Sequence, residues 1–361
     1  MSSMNGHNTH YIRKGQSYIV QSSHKERREN IMELNRKNES VHAPSFLGQV
    51  AYNSVFCEGR LTFGFIMPLE SYPDSPFPTL EDHTRLARFA DQSGFSALWM
   101  RDVPFYDPTF GDAGQMLDPF VYMGYLAAHT RTIALGTAGI VLPLRDPIGV
   151  AKQAVSVDQL TQGRLLLGLS SGDRPAEYPA FGADFENRGE RFRDGFSLIR
   201  NVTSTNFPTF ETDFYGEMDG QLDLIPKPVH GSIPMLVVGR GRQSMEWLAN
   251  NTDGWMSHLA DFRSIPEIVR QWRAANHSGI FRPFAYGSFF ELAENPDEPL
   301  SYLGNRHRMG RKALLHHWKI QEAAGVNHIA LNLKPSRRPV IDILQELKEY
   351  ILPHFPSCPR Y

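Results

Sequence analysis

The sequence predicts an α/β fold, a (β/α)8 barrel formed by one chain of 361 residues. Eight short apolar runs alternate with eight helix-length segments, which is the pattern of a parallel sheet. Eight such units favour closure of the sheet into a barrel over an open, doubly wound sheet. The composition, 41% hydrophobic and 21% charged residues, is typical of a globular domain with a substantial core.

The predicted elements follow one another in a regular order from Leu61 onwards. Thr79 to Asp82 predicts the capped start of the first helix, and Pro147 suits the first turn of a later one. The strands are predicted at 61–67, 95–100, 132–142, 164–170, 233–239, 253–259, 281–292 and 326–333. The helices are predicted at 80–94, 118–130, 146–161, 189–202, 241–251, 265–277, 306–325 and 338–355.

Three stretches fall outside this alternation. Residues 1–58 are polar and poorly periodic, with one possible helix at Lys25–Asn38, and we assign them to an N-terminal extension. The extension is either a flexible tail or an arm that packs on another surface, while 59–361 forms the barrel domain. The loop 101–117 is long enough to indicate a functional role. Residues 203–232 predict an irregular insertion after the fourth helix.

Charge, cysteines and hydropathy restrict the class of protein. The net charge of −2 provides no general field for nucleic acid or an anionic membrane. Cys57 and Cys358 form neither a disulfide framework nor a metal-ligand spacing, which favours a reducing cytoplasm. No apolar run approaches the ~18 residues of a membrane-spanning helix, and the start of the chain lacks a signal-peptide pattern. The sequence predicts a cytoplasmic protein without bound metal.

Small residues follow two neighbouring strands of the predicted sheet. Ala138 and Gly139 lie in GTAGIVLPLRDP (136–147), and Ser170, Ser171 and Gly172 lie in QGRLLLGLSSGDRP (162–175). Ligands of parallel α/β proteins bind at the carboxyl ends of the strands. Because small residues let a ligand approach the backbone closely, we expect a cleft for a planar cofactor there.

A second glycine-rich corner joins the fifth strand to its helix in GRGRQSMEW (239–247). Gly239 and Gly241 free the backbone, and Ser244 lies in the first turn of the predicted helix, where unpaired N–H groups favour an anion. Arg240 and Arg242 could add charge-assisted hydrogen bonds. The corner is either a phosphate site or an ordinary strand-to-helix turn.

The order and spacing of these motifs resemble the bacterial luciferase-like family of flavin-dependent oxidoreductases. FGADFENRGERF (181–192) adds a further match, and the segment 99–136 resembles the subgroup called luciferase-type oxidoreductases of unassigned substrate. The resemblance covers Leu61 to Phe355. It implies a (β/α)8 barrel with FMN at the carboxyl ends of the strands. It also implies a non-proline cis peptide between Ala138 and Gly139, supporting the flavin ring.

The resemblance assigns further residues to the flavin. Ser170 matches the position of a cysteine that faces the reactive edge of the flavin in bacterial luciferase, and Ser171 replaces a phosphate-contacting arginine. Arg188 lies close to another phosphate-contacting arginine of the family. Ser244, with the backbone amides around Gly241 and Arg242, matches the family's phosphate site.

The sequence departs from bacterial luciferase at the end of the second strand. The catalytic histidine of luciferase has no counterpart in Trp99 to Asp102, so light emission is not expected. Arg101 and Asp102 are candidates for substrate binding or for tuning the flavin, or they form a structural ion pair. His258, after the sixth strand, either contacts substrate or flavin or is structural. Arg174 is a candidate to line a pocket.

These observations predict an FMN-dependent oxidoreductase, a monooxygenase that uses reduced FMN and dioxygen on a small organic substrate. Phe105 and Tyr106 are among the aromatic residues that suggest an apolar substrate. No G-x-G-x-x-G follows the first strand, so we expect a separate flavin reductase to supply reduced FMN. The resemblance also implies a homodimer.

Two alternatives remain open. A deazaflavin in place of FMN would give a hydride-transferring oxidoreductase, and Arg240 and Arg242 are compatible with its acidic tail. A non-catalytic flavin-binding protein would not consume oxygen with reduced FMN. An unrelated hydrolase is not supported, because no carboxylate pair or metal constellation is found at the strand ends.

Overall fold

The computed structural model of the protein describes residues 48–258, 261–303 and 306–358. Residues 1–47 lie outside this part of the chain, and so does the helix predicted at Lys25–Asn38.

Eight parallel strands close into a barrel, as predicted. The barrel order is β1, β2, β3, β5, β8, β9, β10 and β13, and closure comes from the pairing of β13 with β1. The strands are β1 (Thr62–Ile66), β2 (Ala97–Met100), β3 (Ala134–Thr137), β4 (Ile140–Val141), β5 (Leu165–Ser170), β6 (Thr209–Thr212), β7 (Gly216–Asp219), β8 (Met235–Val238), β9 (Gly254–His258), β10 (Phe284–Leu292), β11 (Ser301–Leu303), β12 (Arg306–Met309) and β13 (His328–Asn332).

Helices follow the barrel strands and bury their apolar faces against the outside of the barrel. The helix that begins at Pro147 is capped by Asp146, whose carboxylate accepts the Gly149 N–H at 2.8 Å. The α-helices of the described residues are α1 (Val50–Val55), α2 (His83–Gln92), α3 (Pro119–Ala127), α4 (Pro147–Thr161), α5 (Arg188–Ser204), α6 (Met245–Asn251), α7 (Ile265–Ala275), α8 (Arg311–Ala323) and α9 (Val340–Tyr350). Within the described part of the chain, no helix is long and apolar enough to cross a membrane.

Two predicted segments contain strands that the sequence did not predict. The helix predicted at 306–325 begins only at Arg311, because Arg306–Met309 forms β12, where buried His307 and Met309 alternate with partly exposed arginines. This period of two is the pattern of a strand. The insertion 203–232, predicted as irregular, contains the antiparallel pair β6 and β7.

Helix α1 closes the barrel at the amino ends of its strands. Tyr52, Val55 and Phe56 are buried against residues of the barrel interior, among them Ala97 and Ala134 at the starts of β2 and β3. The Tyr52 hydroxyl donates to the Asp253 carbonyl at 2.7 Å. This part of the predicted extension therefore packs on the barrel and leaves the carboxyl ends of the strands as the open end.

A buried polar chain runs through the barrel interior. The Trp99 indole N–H donates to Nε2 of His328 at 2.9 Å, and Nδ1 of His328 lies 2.7 Å from the Thr62 hydroxyl. Thr62 donates in turn to the Val55 carbonyl at 2.6 Å. Because an indole N–H can only donate, Nε2 accepts and the His328 proton resides on Nδ1. Trp99 fits because Gly136 has no side chain: a Cβ there would lie 2.4 Å from its ring.

The buried hydrogen bonds of His328 predict that the folded protein loses stability in acid. Burial lowers the pKa of His328 to about 3, whereas a histidine of the unfolded chain titrates near ~6.5. The stabilisation is therefore complete above pH ~6.5 and is lost as the pH falls towards 3, at about 1.4 kcal/mol per pH unit. Between these pH values, the free energy of unfolding, measured with denaturant, should fall less steeply with decreasing pH for His328→Gln than for the wild type. The exposed His316→Gln serves as the matched control.

The imidazole can also be observed directly in the wild type. Nitrogen NMR should show the neutral tautomer protonated on Nδ1 of His328 at pH values at which exposed histidines carry a charge. A protonated His328 signal under those conditions, or equal pH slopes for His328→Gln and wild type, would contradict the assignment.

The two cysteines are joined, contrary to the expectation of a chain without a disulfide. Cys57 precedes β1 and Cys358 follows α9, and their Cα atoms are 5.9 Å apart, within the usual range for a disulfide. The Arg60 guanidinium donates to the Ser357 carbonyl at 2.6 Å and holds the same two segments together. Spacing alone could not reveal the pair, because 301 positions separate the two residues.

The disulfide between Cys57 and Cys358 closes a long loop and should therefore stabilise the folded protein relative to the unfolded chain. We expect Cys57→Ser to lower the free energy of unfolding by about 2–4 kcal/mol relative to the oxidised wild type. Reductant should lower the melting temperature of the wild type to that of Cys57→Ser and leave the variant unchanged. Two free thiols in the native, unreduced wild type would show that the bond does not form.

Candidate functional site

A cleft of about 340 Å³ opens at the carboxyl ends of the barrel strands. Its wall combines small residues, three valines and charged groups, contributed mainly by the ends of β5 and β8 and the loops after β2, β3, β5 and β8. The lining residues are Arg101, Asp102, Val103, Ala138, Gly139, Val141, Ser170, Ser171, Gly172, Asp173, Arg174, Val238, Gly239, Arg240, Gly241 and His258. Twelve of the residues predicted from the sequence therefore lie around one concavity. Its volume is compatible with that of small-molecule sites.

Gly139 leaves no room for a side chain in this wall. A Cβ at this position would lie 3.0 Å from both the Cβ and the hydroxyl of Ser170, and 3.2 Å from the Cβ of Val238. The backbone of Gly139 has φ +99°, a conformation that side chains disfavour. The cis peptide predicted between Ala138 and Gly139 is absent: the cis bonds of the described residues precede Pro68 and Pro226. The peptide bond between Ala138 and Gly139 is trans, and the chain turns here because Gly139 adopts a positive φ.

Asp102 is held in a structural ion pair, but its partner is Arg145 and not Arg101. The Arg145 guanidinium donates to both carboxylate oxygens at 2.9 and 2.6 Å, and the Val141 N–H donates at 3.0 Å. Arg145 also donates to Asp118, the N-cap of α3, at 3.0 Å. With 3% of its side chain exposed, Asp102 positions Val141 in the cleft wall.

Arg101 pairs with a different acid and keeps one donor group free. Its Nη2 donates to Asp112 at 2.7 Å, and although burial opposes the effect, Arg101 and Lys334 lower the pKa of Asp112. The buried side chain of Gln115 fixes the strand end, accepting the Arg101 N–H at 3.1 Å and donating to its carbonyl at 2.5 Å. Nε of Arg101 is buried and has no hydrogen-bond partner among the described residues.

Arg174 is a second arginine of the lining with an unsatisfied donor group. Its Nη1 lies 3.7 Å from Oε1 of Glu177, and neither atom has a hydrogen-bond partner within the described part of the chain. Burial raises the pKa of Glu177 against the opposing charge of Arg174. The Tyr178 hydroxyl donates to the Ser171 carbonyl and ties this loop to the end of β5.

His258 lines both the cleft and a smaller inner chamber of about 120 Å³, as do Arg101, Ala138 and Val238. Its ring meets Phe289 edge-on, with centroids 5.9 Å apart. Burial and the guanidinium of Arg101 lower the pKa of His258. The neutral imidazole is therefore favoured and is able to accept a proton at one ring nitrogen.

Three predicted residues lie outside the cleft lining. Arg188 is buried against Phe185, with its guanidinium carbon 3.4 Å from the ring centroid. Arg242 is exposed on the turn after β8, and the Ser244 hydroxyl caps α6 by accepting the Trp247 N–H at 3.1 Å. These side chains adjoin the Gly239–Gly241 corner without lining the cleft.

The corner itself is fixed by Gln243, a buried residue that the sequence did not single out. Its side-chain amide donates to the Gly189 carbonyl at 2.8 Å and to the Gly241 carbonyl at 2.9 Å. Its carbonyl accepts from two nitrogens of Arg193, at 3.0 and 2.7 Å. The Trp255 indole N–H donates to the Gly239 carbonyl at 2.5 Å. The backbone of the corner is thus preorganised by side chains from α5 and β9.

The inner chamber adds residues that were missed at the sequence level. Met256, Phe289 and Asn332 line it together with Arg101 and His258. Asn332 is the last residue of β13, so the rule that ligands meet the carboxyl ends of barrel strands could have identified it. Of the described residues, no three or more His, Cys, Asp or Glu are grouped to hold a metal ion.

The cleft has the properties required by a flat cofactor with an anionic tail. Ala138, Gly139 and Ser170 offer a surface without bulky side chains, and valines add apolar contact. The buried, unpartnered Nε of Arg101 provides a donor that such a ligand would satisfy. Together, the closed barrel and this cleft define a class of protein, a (β/α)8 barrel with an open cleft at the carboxyl ends of its strands.

Comparison with known proteins places the chain within a family. The family described as luciferase-like monooxygenase matches residues 61–338, so the chain belongs to it. The 4-hydroxyprotoasukamycin monooxygenase of Streptomyces nodosus subsp. asukaensis is 31% identical over 180 residues, or 49% of this chain and 47% of that protein. This chain therefore aligns with about half the length of that relative.

Solved structures support the same fold. The monooxygenase RslO1 from Streptomyces bottropensis has a TM-score of 0.68 at 20% identity, covering 81% of this chain and 99% of that one. An F420-dependent secondary alcohol dehydrogenase has a TM-score of 0.67 at 18% identity, covering 82% of this chain and 99% of that one. The oxygenating constituent of 3,6-diketocamphane monooxygenase from a Pseudomonas putida plasmid, solved with FMN, has a TM-score of 0.64 at 14% identity, covering 81% of this chain and 98% of that one.

Proposed function

We propose that the protein is an FMN-dependent monooxygenase acting on a small organic substrate, with reduced FMN supplied by a separate reductase. The observation that supports this most strongly is the bare backbone of Gly139 in the cleft wall, where a Cβ would crowd Ser170 at 3.0 Å and Val238 at 3.2 Å. Bound reduced FMN supplies two electrons to dioxygen, so that one oxygen atom enters the substrate and the other leaves as water. Membership of the luciferase-like monooxygenase family supports the same chemistry.

In this proposal the strand ends hold the ring. Ala138, Gly139, Ser170 and Gly172 contact one face of the ring, because they leave the backbone accessible. The Ser170 hydroxyl lies 3.3 Å from the Ile140 carbonyl and keeps lone pairs free to accept from the ring edge. The Arg101 Nε–H would donate to a ring oxygen or nitrogen and stabilise negative charge on the reduced ring.

The phosphate would lie at the corner after β8. The backbone amides at Gly241 and Arg242 offer donors on a turn held by Gln243, and Arg240 adds a positive charge. The Gly239 N–H already donates to the Met256 carbonyl at 2.8 Å. Arg188, Arg242 and Ser171 remain proposed contacts to the phosphate. Ser244 contributes through the cap that fixes the start of α6.

His258 is the proposed proton-handling residue at the mouth. Its neutral imidazole lies beside Arg101 in the lining of both the cleft and the inner chamber, whereas luciferase has its histidine after the second strand. His258→Gln should lower the turnover number more than the affinity for FMN. Its profile of turnover against pH should also lose the limb that falls in acid, since a protonated imidazole cannot accept a proton.

The direct test of the proposal is oxygen consumption with photoreduced FMN and candidate substrates, with product analysis in labelled dioxygen. We expect one labelled oxygen atom per product molecule, and slow oxidation of NADH or NADPH unless a flavin reductase is added. Tight flavin binding with no labelled product across a broad panel would favour the non-catalytic flavin-binding alternative.

The deazaflavin alternative has a specific observation in its favour. Arg240 and Arg242 are exposed beside the corner after β8, where a longer acidic tail would lie. The absorption spectrum and the mass of the cofactor extracted from purified protein distinguish the two. A deazaflavin would replace oxygen insertion by hydride transfer to or from the substrate.

A homodimer is also part of the proposal. Val121 and Tyr125 lie four positions apart on α3, are 72% and 44% exposed, and would provide an apolar contact for a second subunit. Sedimentation should show a dimer that Val121→Lys shifts towards the monomer.

A further inference from the structure

We propose that the substrate is a planar aromatic molecule with an acidic group, received by an aromatic vestibule formed by Phe105, Phe110, Phe181 and Arg174. This inference rests on the proposed function, in which FMN fills the cleft and the substrate must approach from outside it. The vestibule lies on two loops at the barrel mouth, one after β2 and one after β5.

The aromatic side chains of the vestibule are unusually exposed. Phe105, Phe110 and Phe181 are 48%, 45% and 43% exposed, so nearly half of each ring faces solvent. Scattered apolar residues of this kind need no explanation, but a cluster beside a concave site marks a binding surface. Tyr106 extends the cluster by packing on Phe77, with ring centroids 4.7 Å apart.

The two loops contact each other through these side chains. The rings of Phe105 and Phe181 have centroids 5.7 Å apart, and the guanidinium carbon of Arg174 lies 4.4 Å from the centre of the Phe110 ring. Val103, two residues before Phe105, lines the cleft, and Arg174 does as well. The vestibule is therefore continuous with the proposed cofactor site. An incoming ring could stack on these faces, as aromatic pairs do.

Arg174 is the residue from which we infer an acidic group on the substrate. Its side chain is only 12% exposed, and its Nη1 has no hydrogen-bond partner among the described residues. Of the acids around it, Glu177 is beyond hydrogen-bond distance and Asp107 accepts from the Thr109 N–H and hydroxyl at 2.8 and 2.7 Å. Asp173 lines the cleft nearby. A carboxylate or phenolate would satisfy the free guanidinium donor, which a neutral ring would leave unpaired.

A small molecule explains these features better than a second protein surface does. The vestibule opens onto a concave cleft, and a buried cation with a free donor lies at the boundary between the two. Concavity with a few polar groups is the mark of a small-ligand site, whereas protein interfaces of useful area are broad and flat.

The test uses three probes with the purified, full-length protein loaded with FMN: naphthoate, its methyl ester and decanoate. Calorimetric titration should show naphthoate binding at least about tenfold more tightly than either of the others. Arg174→Gln should remove the preference for the acid over the ester, and Phe110→Leu should weaken both naphthyl probes. Arg270→Gln on α7 and the exposed Phe207→Leu should change nothing.

The outcomes separate this inference from the function on which it rests. FMN binding without selective naphthoate binding, or equal affinity for decanoate that Arg174→Gln does not alter, would overturn the aromatic-acid inference alone. A change of oligomeric state on Phe110→Leu in place of a change in probe affinity would also overturn it. Failure to bind FMN would instead contradict the proposed function.

Discussion

Gly139→Val is expected to weaken the binding of FMN by at least about tenfold. The new side chain would lie 3.0 Å from Ser170 and 3.2 Å from Val238, so it must displace the cleft wall or project into the space proposed for the ring. The φ of +99° adds strain of about 1–3 kcal/mol for any residue with a Cβ. Fluorescence titration of flavin-free protein with FMN measures the loss.

Gly59→Val is a control that distinguishes backbone strain from steric obstruction of the proposed FMN site. Gly59 also has a positive φ, +70°, but a Cβ there would meet no atom within 4 Å, and the residue is exposed before β1. We expect a similar loss of stability from backbone strain and unchanged affinity for FMN. Equal affinities of Gly139→Val and wild type would mean that the ring does not lie against Gly139.

Asp102→Ala is expected to lower the free energy of unfolding by about 3 kcal/mol. The change removes the acceptor for two guanidinium nitrogens of Arg145 and for the Val141 N–H. Arg145 would retain one hydrogen bond, to Asp118. Because Val141 lines the cleft, FMN affinity should fall as well, although Asp102 itself has no chemical role in this account. Urea unfolding of the flavin-free protein provides the measurement.

A matched pair on the surface provides the comparison. Asp82 forms the same type of contact with Arg85, but both side chains are more than half exposed, at 60% and 58%. Asp82→Ala should therefore leave the free energy of unfolding nearly unchanged, because solvent screens an exposed pair. If Asp82→Ala and Asp102→Ala lower the free energy of unfolding equally, the ion pair of Asp102 does not stabilise the cleft wall.

The sequence was informative about the fold because the barrel repeats a local pattern. Each β/α unit carries its own apolar run and helix, and the carboxyl end of each strand is a fixed place to look for ligands. Ala138, Gly139, Ser170 and Gly239 were found in this way, since small residues at a strand end need no knowledge of distant contacts. Their convergence on one cleft follows from the closure of the sheet.

The features that could not be predicted from the sequence depend on contacts between residues that are far apart in the chain. Asp102 could be assigned to an ion pair, but Arg145 is 43 positions away and is brought to it by the packing of the loop after β4. The disulfide joins two ends that only closure of the barrel brings together. Arg188 and Ser244 matched family positions, yet a neighbouring ring and a helix cap engage their side chains. Residue identity fixes what a side chain is able to do, and tertiary packing decides which partner it has.

The most direct measurement is a crystal structure of the protein grown with FMN. We expect the isoalloxazine ring to lie against Ala138 and Gly139, within contact of Ser170, and the phosphate to lie at the backbone amides of Gly241 and Arg242. Flavin bound elsewhere on the barrel, or a cleft closed by its own side chains while FMN is present at saturating concentration, would contradict it.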